Sequence, residues 1–392
     1  MTTDYDVVVV GGRVAGASTA LLLARAGARV ALLDRGRYGA DTVSTHGLLR
    51  AGVLQLTRWG LLGEVMAAGT PPIRQTRLHY ADGESTLVSI RAGAGVDALY
   101  APRRTVLDPL LVDAAAAAGA DVVHDATVTQ LLADEGGRVG GVRALTRSGR
   151  TADLRAAMTV GADGIRSTVA DRAGAPVVRQ GRSSTAWLYR YYADVAVDGY
   201  ELGWATGGAV GLSPTNDGLT GVFVGAVPAR LRALRRSGAE GAFRTLLVET
   251  APELAELVLS AAPVGRMHGW AGVPGFVRRS WGRGWALVGD SGYFKDPITM
   301  HGMTNALRDA ELLADEILAA LGGDAPEAVA LARYQALRDR LSAGLFDATE
   351  EMASCDWDLE RLRVLLRRVS AATSDEVEHL QALPGRPLPE LV

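Results

Sequence analysis

The sequence predicts an α/β protein: a Rossmann-like domain on a parallel sheet, an antiparallel β-sheet domain inserted into it, and a helical C-terminus. Three observations predict this. A β-branched apolar run at 5–10 leads through a glycine turn into a helix at 16–26 and a short strand at 29–33, one βαβ unit. Two later strand ends, GADGIRSTVA at 161–170 and ALVGDSGYFKDPITMHGM at 286–303, each join an aspartate to a glycine ahead of a helix. Between these motifs lie stretches of aromatic and β-branched residues that read as antiparallel strands.

The elements follow in order. Gly27 falls where a left-handed helix cap belongs. A second helix is expected over 47–59, with Ser44 and Thr45 as caps. RLHYADGESTLVSI reads as two strands joined through Asp82-Gly83, a hairpin signal. A helix at 107–120 and short strands over 121–145 come next, then the strand-rich segment 184–227. From 303 onward the chain is mainly helical. The expected layout is a discontinuous Rossmann-like domain (1–72, 101–183 and 266–324), a substrate-binding sheet domain (73–100 and 184–265) and C-terminal helices (325–392).

At 392 residues the chain has room for two domains, or one with a large insertion. A hydrophobic content of 48% and a charged content of 22% are ordinary for a globular protein. No apolar run approaches the ~18 residues of a membrane helix. The acidic start MTTDYD has no basic n-region, so no signal peptide is expected and a cytoplasmic location is. Cys355 is the only cysteine, which excludes an internal disulfide and a Cys-ligated iron–sulfur cluster; no metal is expected. A net charge of −3 without a basic block argues against nucleic acid. Lys295 is the only lysine, so any chemistry that needs one must use it.

A glycine turn between a strand and a helix lets backbone N–H groups meet a pyrophosphate at the helix N-terminus. Here the glycines are Gly11, Gly12 and Gly16, and Arg13 replaces a third glycine of the usual pattern. Asp34 closes the second strand, where a carboxylate accepts both hydrogen bonds of a ribose diol. Asp163-Gly164 precedes a helix start with Ser167. Gly289-Asp290 follows a strand, and a helix near Met303 aims its dipole at whatever lies before it. Alone, each motif also reads as plain structure: a buried βαβ unit or a helix cap. In this order, from residue 7 to residue 303, they describe one FAD gripped at its pyrophosphate, ribityl chain and ring.

With these motifs the chain resembles FAD-dependent monooxygenases of the aromatic-hydroxylase type, whose nucleotide domain is of the glutathione-reductase type, and their relatives, the flavin halogenases and geranylgeranyl reductases. DTVSTHG (41–47), APRRTVLDPLLVDAA (101–115) and GDSGYFKDPITMHGMTNALRDAELLA (289–314) carry the closer likeness, within about residues 5–320. The resemblance implies that Gly11, Gly12, Val14, Ala15 and Gly16 hold the pyrophosphate and Asp34 the adenosine ribose, with Arg35 beside adenine. It implies Arg104 near the phosphate or ribityl chain, Val128 at adenine through its backbone, Asp163 in an Asp-Gly signature tied to FAD and NADPH, and Asp290 on the ribityl chain. Pro297 then packs near the ring, and Gly302 and Met303 offer N–H groups to its pyrimidine edge. Tyr293 stands where the family has histidine, and Asn305 comes one position late.

His46, Pro297 and His301 are the candidate catalytic residues. His46 reads either as part of a helix-capping turn with a solvated imidazole or as a group that orients substrate or relays a proton near neutral pH. His301, beside the ring by position, is expected to tune the flavin by its charge. Trp187, Tyr189 and Tyr191 share one face of a strand and read either as a wall for a planar substrate or as sheet core.

The activity implied is a monooxygenase of secondary metabolism. NADPH or NADH binds transiently and reduces FAD, and O2 forms a C4a-hydroperoxide that oxygenates an aromatic or polyketide-like small molecule. No second dinucleotide turn is visible, in keeping with transient binding. The alternative is a reductase or dehydrogenase of a prenyl or polyketide C–C bond. A halogenase is disfavoured: that family uses an early lysine and a W-x-W-x-I-P segment, whereas this chain has WAGVPGFV at 270–277. Lys295→Ala is accordingly expected to leave activity largely intact. A non-catalytic flavin-binding scaffold is the reading from outside enzymology. A monomer or homodimer is expected, with no membrane span.

Overall fold

A computed structural model describes residues 4–93 and 95–384; residues 1–3, 94 and 385–392 of the expected segments lie outside these. The chain runs β1 (Tyr5–Val10), α1 (Val14–Arg25), β2 (Val30–Leu33), α2 (Arg50–Arg58), α3 (Leu62–Ala67), β3 (Gln75–Tyr80), β4 (Ser85–Ser89), α4 (Arg104–Ala117), β5 (Asp121–Val123), β6 (Ala126–Ala133), β7 (Val139–Thr146), β8 (Thr151–Gly161) and α5 (Thr168–Arg172). It continues with β9 (Val177–Gln180), β10 (Ala186–Ala193), β11 (Tyr200–Ala205), β12 (Gly208–Pro214), β13 (Leu219–Ala226), α6 (Pro228–Leu234), α7 (Ala239–Thr250), α8 (Pro252–Leu259) and β14 (Ala262–Trp270). It ends with β15 (Phe276–Arg278), β16 (Trp281–Gly282), β17 (Trp285–Leu287), β18 (Tyr293–Phe294), α9 (Gly302–Leu321), α10 (Glu327–Ala353) and α11 (Leu359–Gln381).

The Rossmann-like core is the parallel run β5–β2–β1–β8–β17. Its central strands, VVVV of β1 and VALL of β2, are buried on both faces, which is what continuous β-branched and aliphatic runs are suited to. α1 is buried from Val14 to Ala24 and packs with α4 and α9; its alanines and glycine let those helices approach. Antiparallel β6 and β7 extend from β8. β9, β15 and β18 form a small third sheet.

The inserted sheet has seven strands in the order β14–β10–β13–β12–β11–β3–β4. The hairpin β3–β4 joins it through a parallel pairing of β3 with β11. One face packs on the helices of 228–259 around Leu188, Val224, Phe243 and Leu247. The other carries Trp187, Tyr189, Tyr191 and Phe223 toward Ile298 and the C-terminal helices, at Met352, Leu362 and Leu365. The aromatic face is thus turned inward, toward the segment at 298 and the C-terminal helices.

Three local expectations need correction. The segment 184–265 is not sheet alone, because α6, α7 and α8 cover one face of it. The boundary at 265 cuts β14, which stays paired with β10 as far as Trp270 opposite Trp187. Ser44 and Thr45 do not cap α2: Leu49 is its N-cap and donates its N–H to Thr304 Oγ1 at 3.0 Å. Ser44 Oγ instead accepts the N–H of His46 at 3.1 Å.

Candidate active site

The three sequence motifs meet in space. Gly11 has φ +106°, and a Cβ there would lie 2.4 Å from the carbonyl oxygen of Ala162. Gly289 has φ +60°, and a Cβ there would lie 2.8 Å from that of Ala15. Gly164 donates its N–H to Ser291 Oγ at 2.9 Å. The Asp163 carboxylate accepts Ser167 Oγ–H at 2.5 Å and the Thr168 N–H at 2.6 Å, so this side chain also performs the helix-capping role that its motif allowed.

Two helix N-termini end here without caps. The first bonds of their ladders run from Ala17 N–H to Arg13 O and from Asn305 N–H to His301 O. The amides of Val14, Ala15 and Gly16, and of Gly302, Met303 and Thr304, therefore precede the ladders, and neither helix has a side-chain cap or an acid in its first turn. A cradle of this kind attracts an anion. Gly302 is exposed, with open space where a side chain would be.

Asp34 closes β2. Its carboxylate accepts the N–H of Gly12 at 2.5 Å and of Gly36 at 2.6 Å, one on each oxygen, so each oxygen keeps a lone pair for a diol. It borders a cleft whose walls include Gly12, Arg13, Arg37, Tyr38, Asp108 and His124. Arg35 is exposed and not on these walls, whereas Arg37 is. Val128 is buried in the core against β1 and β2, with its strand β6 paired to β7. Arg104 makes a two-pronged ion pair with Asp108, at 2.8 and 2.9 Å. Arg13 leans to the same carboxylate at 3.5 Å, so the side chain replacing a glycine is drawn toward α4.

On the other side, Pro297, Ile298 and Met300 form one wall of a cavity. Its remaining walls include Trp187, Trp204, Leu212, Phe223, Thr45 and Ser213, and no lining side chain is ionisable. Met300 holds φ +57°, which turns the chain sharply into α9. A short relay ties the wall to the sheet. Trp187 Nε1–H donates to Thr185 Oγ1 at 2.6 Å, and Thr185 donates its backbone N–H (2.6 Å) and its hydroxyl (2.5 Å) to Asp296. Burial pushes the Asp296 carboxyl up to about 7.

The aromatic strand divides. Trp187 lines the cavity, whereas Tyr189 stacks between Phe223 (4.9 Å) and His268 (4.7 Å), and Tyr191 lies under the Arg103 guanidinium (4.7 Å). Tyr189 and Tyr191 are therefore packing behind the wall, not part of it. Two of the expectations for His46 do not hold, a solvated imidazole and a proton relay near neutral pH. The imidazole is buried, bonded through Nε2 to the Tyr191 hydroxyl at 2.7 Å, and burial holds its pKa down at about 3, too low for a relay near neutral pH. His301 is likewise buried and bonded through Nδ1 to the Thr299 carbonyl, and burial holds its pKa down at about 3.

Lys295 departs most from expectation. It is buried, hydrogen-bonds Asn305 Oδ1, and lies 5.2 Å from the Tyr293 ring centre. Half-buried Asp290 is pushed up to about 6 by burial, against the pull of Lys295 and then Arg104. Removing Lys295 takes the donor from the buried Asn305 Oδ1 and a positive charge from the neighbourhood of Asp290. The expectation that it is dispensable is withdrawn. Asp108, Asp296 and Glu376 were not anticipated. Asp108 had a signal in its i,i+4 spacing from Arg104, and Asp296 in its Asp-Pro step; Glu376 had none.

The glycine turn, the uncapped amides and the carboxylates at the ends of β2 and β17 fit FAD, and with this fold they define an FAD-dependent oxidoreductase. Residues 4–349 match the family model described as FAD binding domain, and the chain belongs to that family. It is similar to digeranylgeranylglycerophospholipid reductase 2 of Methanopyrus kandleri, at 30% identity over 85% of this chain and 81% of the relative. Its fold is similar to that of the FAD-dependent monooxygenase PqsL of Pseudomonas aeruginosa (TM-score 0.77, 23% identity, 94% of this chain and 99% of the other). It is also similar to that of the flavin-dependent brominase Bmp2 (TM-score 0.81, 18% identity, 96% and 93%).

Proposed function

We propose that this chain is a flavin-dependent monooxygenase that uses NAD(P)H and O2 to oxygenate an uncharged aromatic or polyketide-like molecule. The carrying observation is the cavity beside Pro297 and Met300, walled by Trp187, Trp204 and Phe223 and free of ionisable side chains. The balance is substrate + O2 + NAD(P)H + H⁺ giving oxygenated substrate + H2O + NAD(P)⁺. When bound, FAD supplies the electron transfer from nicotinamide and the activation of O2.

The chain's residues do the rest. The amides of Val14 to Gly16, with Asp34, bind the dinucleotide. Asp290 accepts from the ribityl hydroxyls, and the N-terminus of α9 favours negative charge on the pyrimidine edge. Thr185 and Asp296 fix the loop carrying Pro297 against the aromatic sheet. That sheet excludes water and presents Trp187 to a planar substrate, while the hydroxyls of Thr45 and Ser213 can meet a substrate oxygen.

Reduction of a prenyl or polyketide C–C bond is the second reading, favoured by the 30% identity to a reductase. Saturating a C=C bond needs a proton for the second carbon, and this wall offers only hydroxyls, which supports oxygenation instead. Oxygen uptake and NADPH oxidation, followed together against a panel of phenols, aromatic polyketides and prenyl compounds, test the choice. One O2 consumed per NADPH, dependent on substrate and with little peroxide, supports the proposal. Substrate-dependent NADPH oxidation that persists without O2 rejects it.

A further inference from the structure

Lys295, from the segment 289–303, opens a buried network that the proposed reaction does not use. Lys295 is bonded to Asn305 Oδ1, and Asn305 Nδ2–H donates to Glu376 Oε1 at 3.2 Å. Arg308 reaches the same Glu376 oxygen at 3.0 Å and holds Asp309 at 2.6 Å and Ser342 Oγ at 2.8 Å. Lys295, Arg308, Asp309 and Glu376 are all buried. Asn305 stands at the start of α9, one turn from Gly302, while Glu376 comes from α11, beyond the residues 4–349 that match the FAD binding domain.

We propose that Glu376 is a positioning residue for the cofactor: through Asn305 it holds Lys295, which lies on the segment from Asp290 to His301, and the charges of Lys295 and Glu376 set how firmly FAD is held and how readily it accepts electrons. This rests on assigning 289–303 to the ribityl chain and ring of FAD. Lys295 lies on the segment that runs from Asp290 to His301, and its bond to Asn305 ties that segment to the first turn of α9. A buried ammonium is costly unless paired, and an aspartate that must also bind ribityl hydroxyls cannot serve as its sole partner. Glu376 supplies the second carboxylate. The last helix then belongs to the flavin site and is not an appendage.

The test uses the full-length holoprotein, with Lys295→Met, Glu376→Gln and the double variant, reading FAD dissociation, flavin midpoint potential and melting temperature. Charge predicts opposite signs. Lys295→Met should lower the potential, because a reduced, negative flavin loses a cation. Glu376→Gln should raise it, because a nearby negative charge is removed. The double variant should return toward wild type in potential and melting temperature. Each single variant should weaken FAD binding at least about fivefold, the low end of ordinary site-to-site coupling. Shifts of the same sign in both single variants, or unchanged potentials with FAD still bound, overturn the inference. If a single variant does not fold, failure of the double variant to restore folding and potential overturns it equally. If the wild-type protein binds no FAD, the assignment of the segment fails instead.

Discussion

His46 is held in the left-handed backbone region (φ +58°) with its ring buried against Tyr191, a conformation few non-glycine residues adopt without surrounding support. Its pKa lies near 3 in the fold and at the ordinary 6.5 when unfolded. The unfolded chain therefore takes up the proton first, and stability is lost as pH falls below about 6.5 toward 3. Relative to His46→Gln, which does not titrate, the wild-type protein should lose melting temperature steadily over that window; parallel curves would show that the ring is already exposed. Asp34 is also double-purposed, since it accepts two backbone N–H groups in the cofactor's absence. Asp34→Ala should weaken FAD binding by more than tenfold, from a charged hydrogen bond of about 1.5–3 kcal/mol, and should lower the apoprotein's melting point as well. Loss of FAD with an unchanged apoprotein would separate the two roles. The glycines at 11, 16 and 289 were legible because a Cβ there meets neighbouring atoms at 1.8–2.8 Å, and Asp34 and Asp290 because each follows a strand of the parallel sheet. The states of His46, His301 and Lys295 were not, because burial and partners distant in the chain set them.

At the scale of elements, the turn before α1 is the least forgiving part. A Cβ at Gly16 would lie 1.8 Å from the carbonyl oxygen of Gly11. Gly16→Ala should thus abolish FAD retention, read as the flavin remaining after desalting, and retention near the wild-type level would mean that the turn is not the pyrophosphate site. Strand β10 gives a sharper contrast. Trp187 lines the cavity and Tyr191 does not. Trp187→Leu should raise peroxide formed per NADPH severalfold. Tyr191→Phe should leave that ratio alone and cost about 1 kcal/mol of stability through its lost bond to His46. Equal effects on coupling would return Tyr191 to the pocket. The strand's two-residue alternation was readable in the sequence. Which of its inward rings meets a substrate was not, because Phe223 and His268, from β13 and β14, cover the middle of the face.

For the whole molecule, a parallel sheet presents FAD-binding loops on one side of a cavity, and a seven-stranded sheet closes the other with aromatic rings. The order of motifs made the first half readable, since each sits at a strand end that the parallel sheet brings together. The helices over 228–259 and the contribution of α11 came from pairings too remote for local pattern to reveal. Oxygen-atom transfer at this site is tested by turnover with NADPH under isotopically labelled O2, with the mass of the product recorded. The expected product has gained one labelled oxygen. A product that has gained two hydrogens and no label, formed equally well without O2, would contradict oxygen-atom transfer.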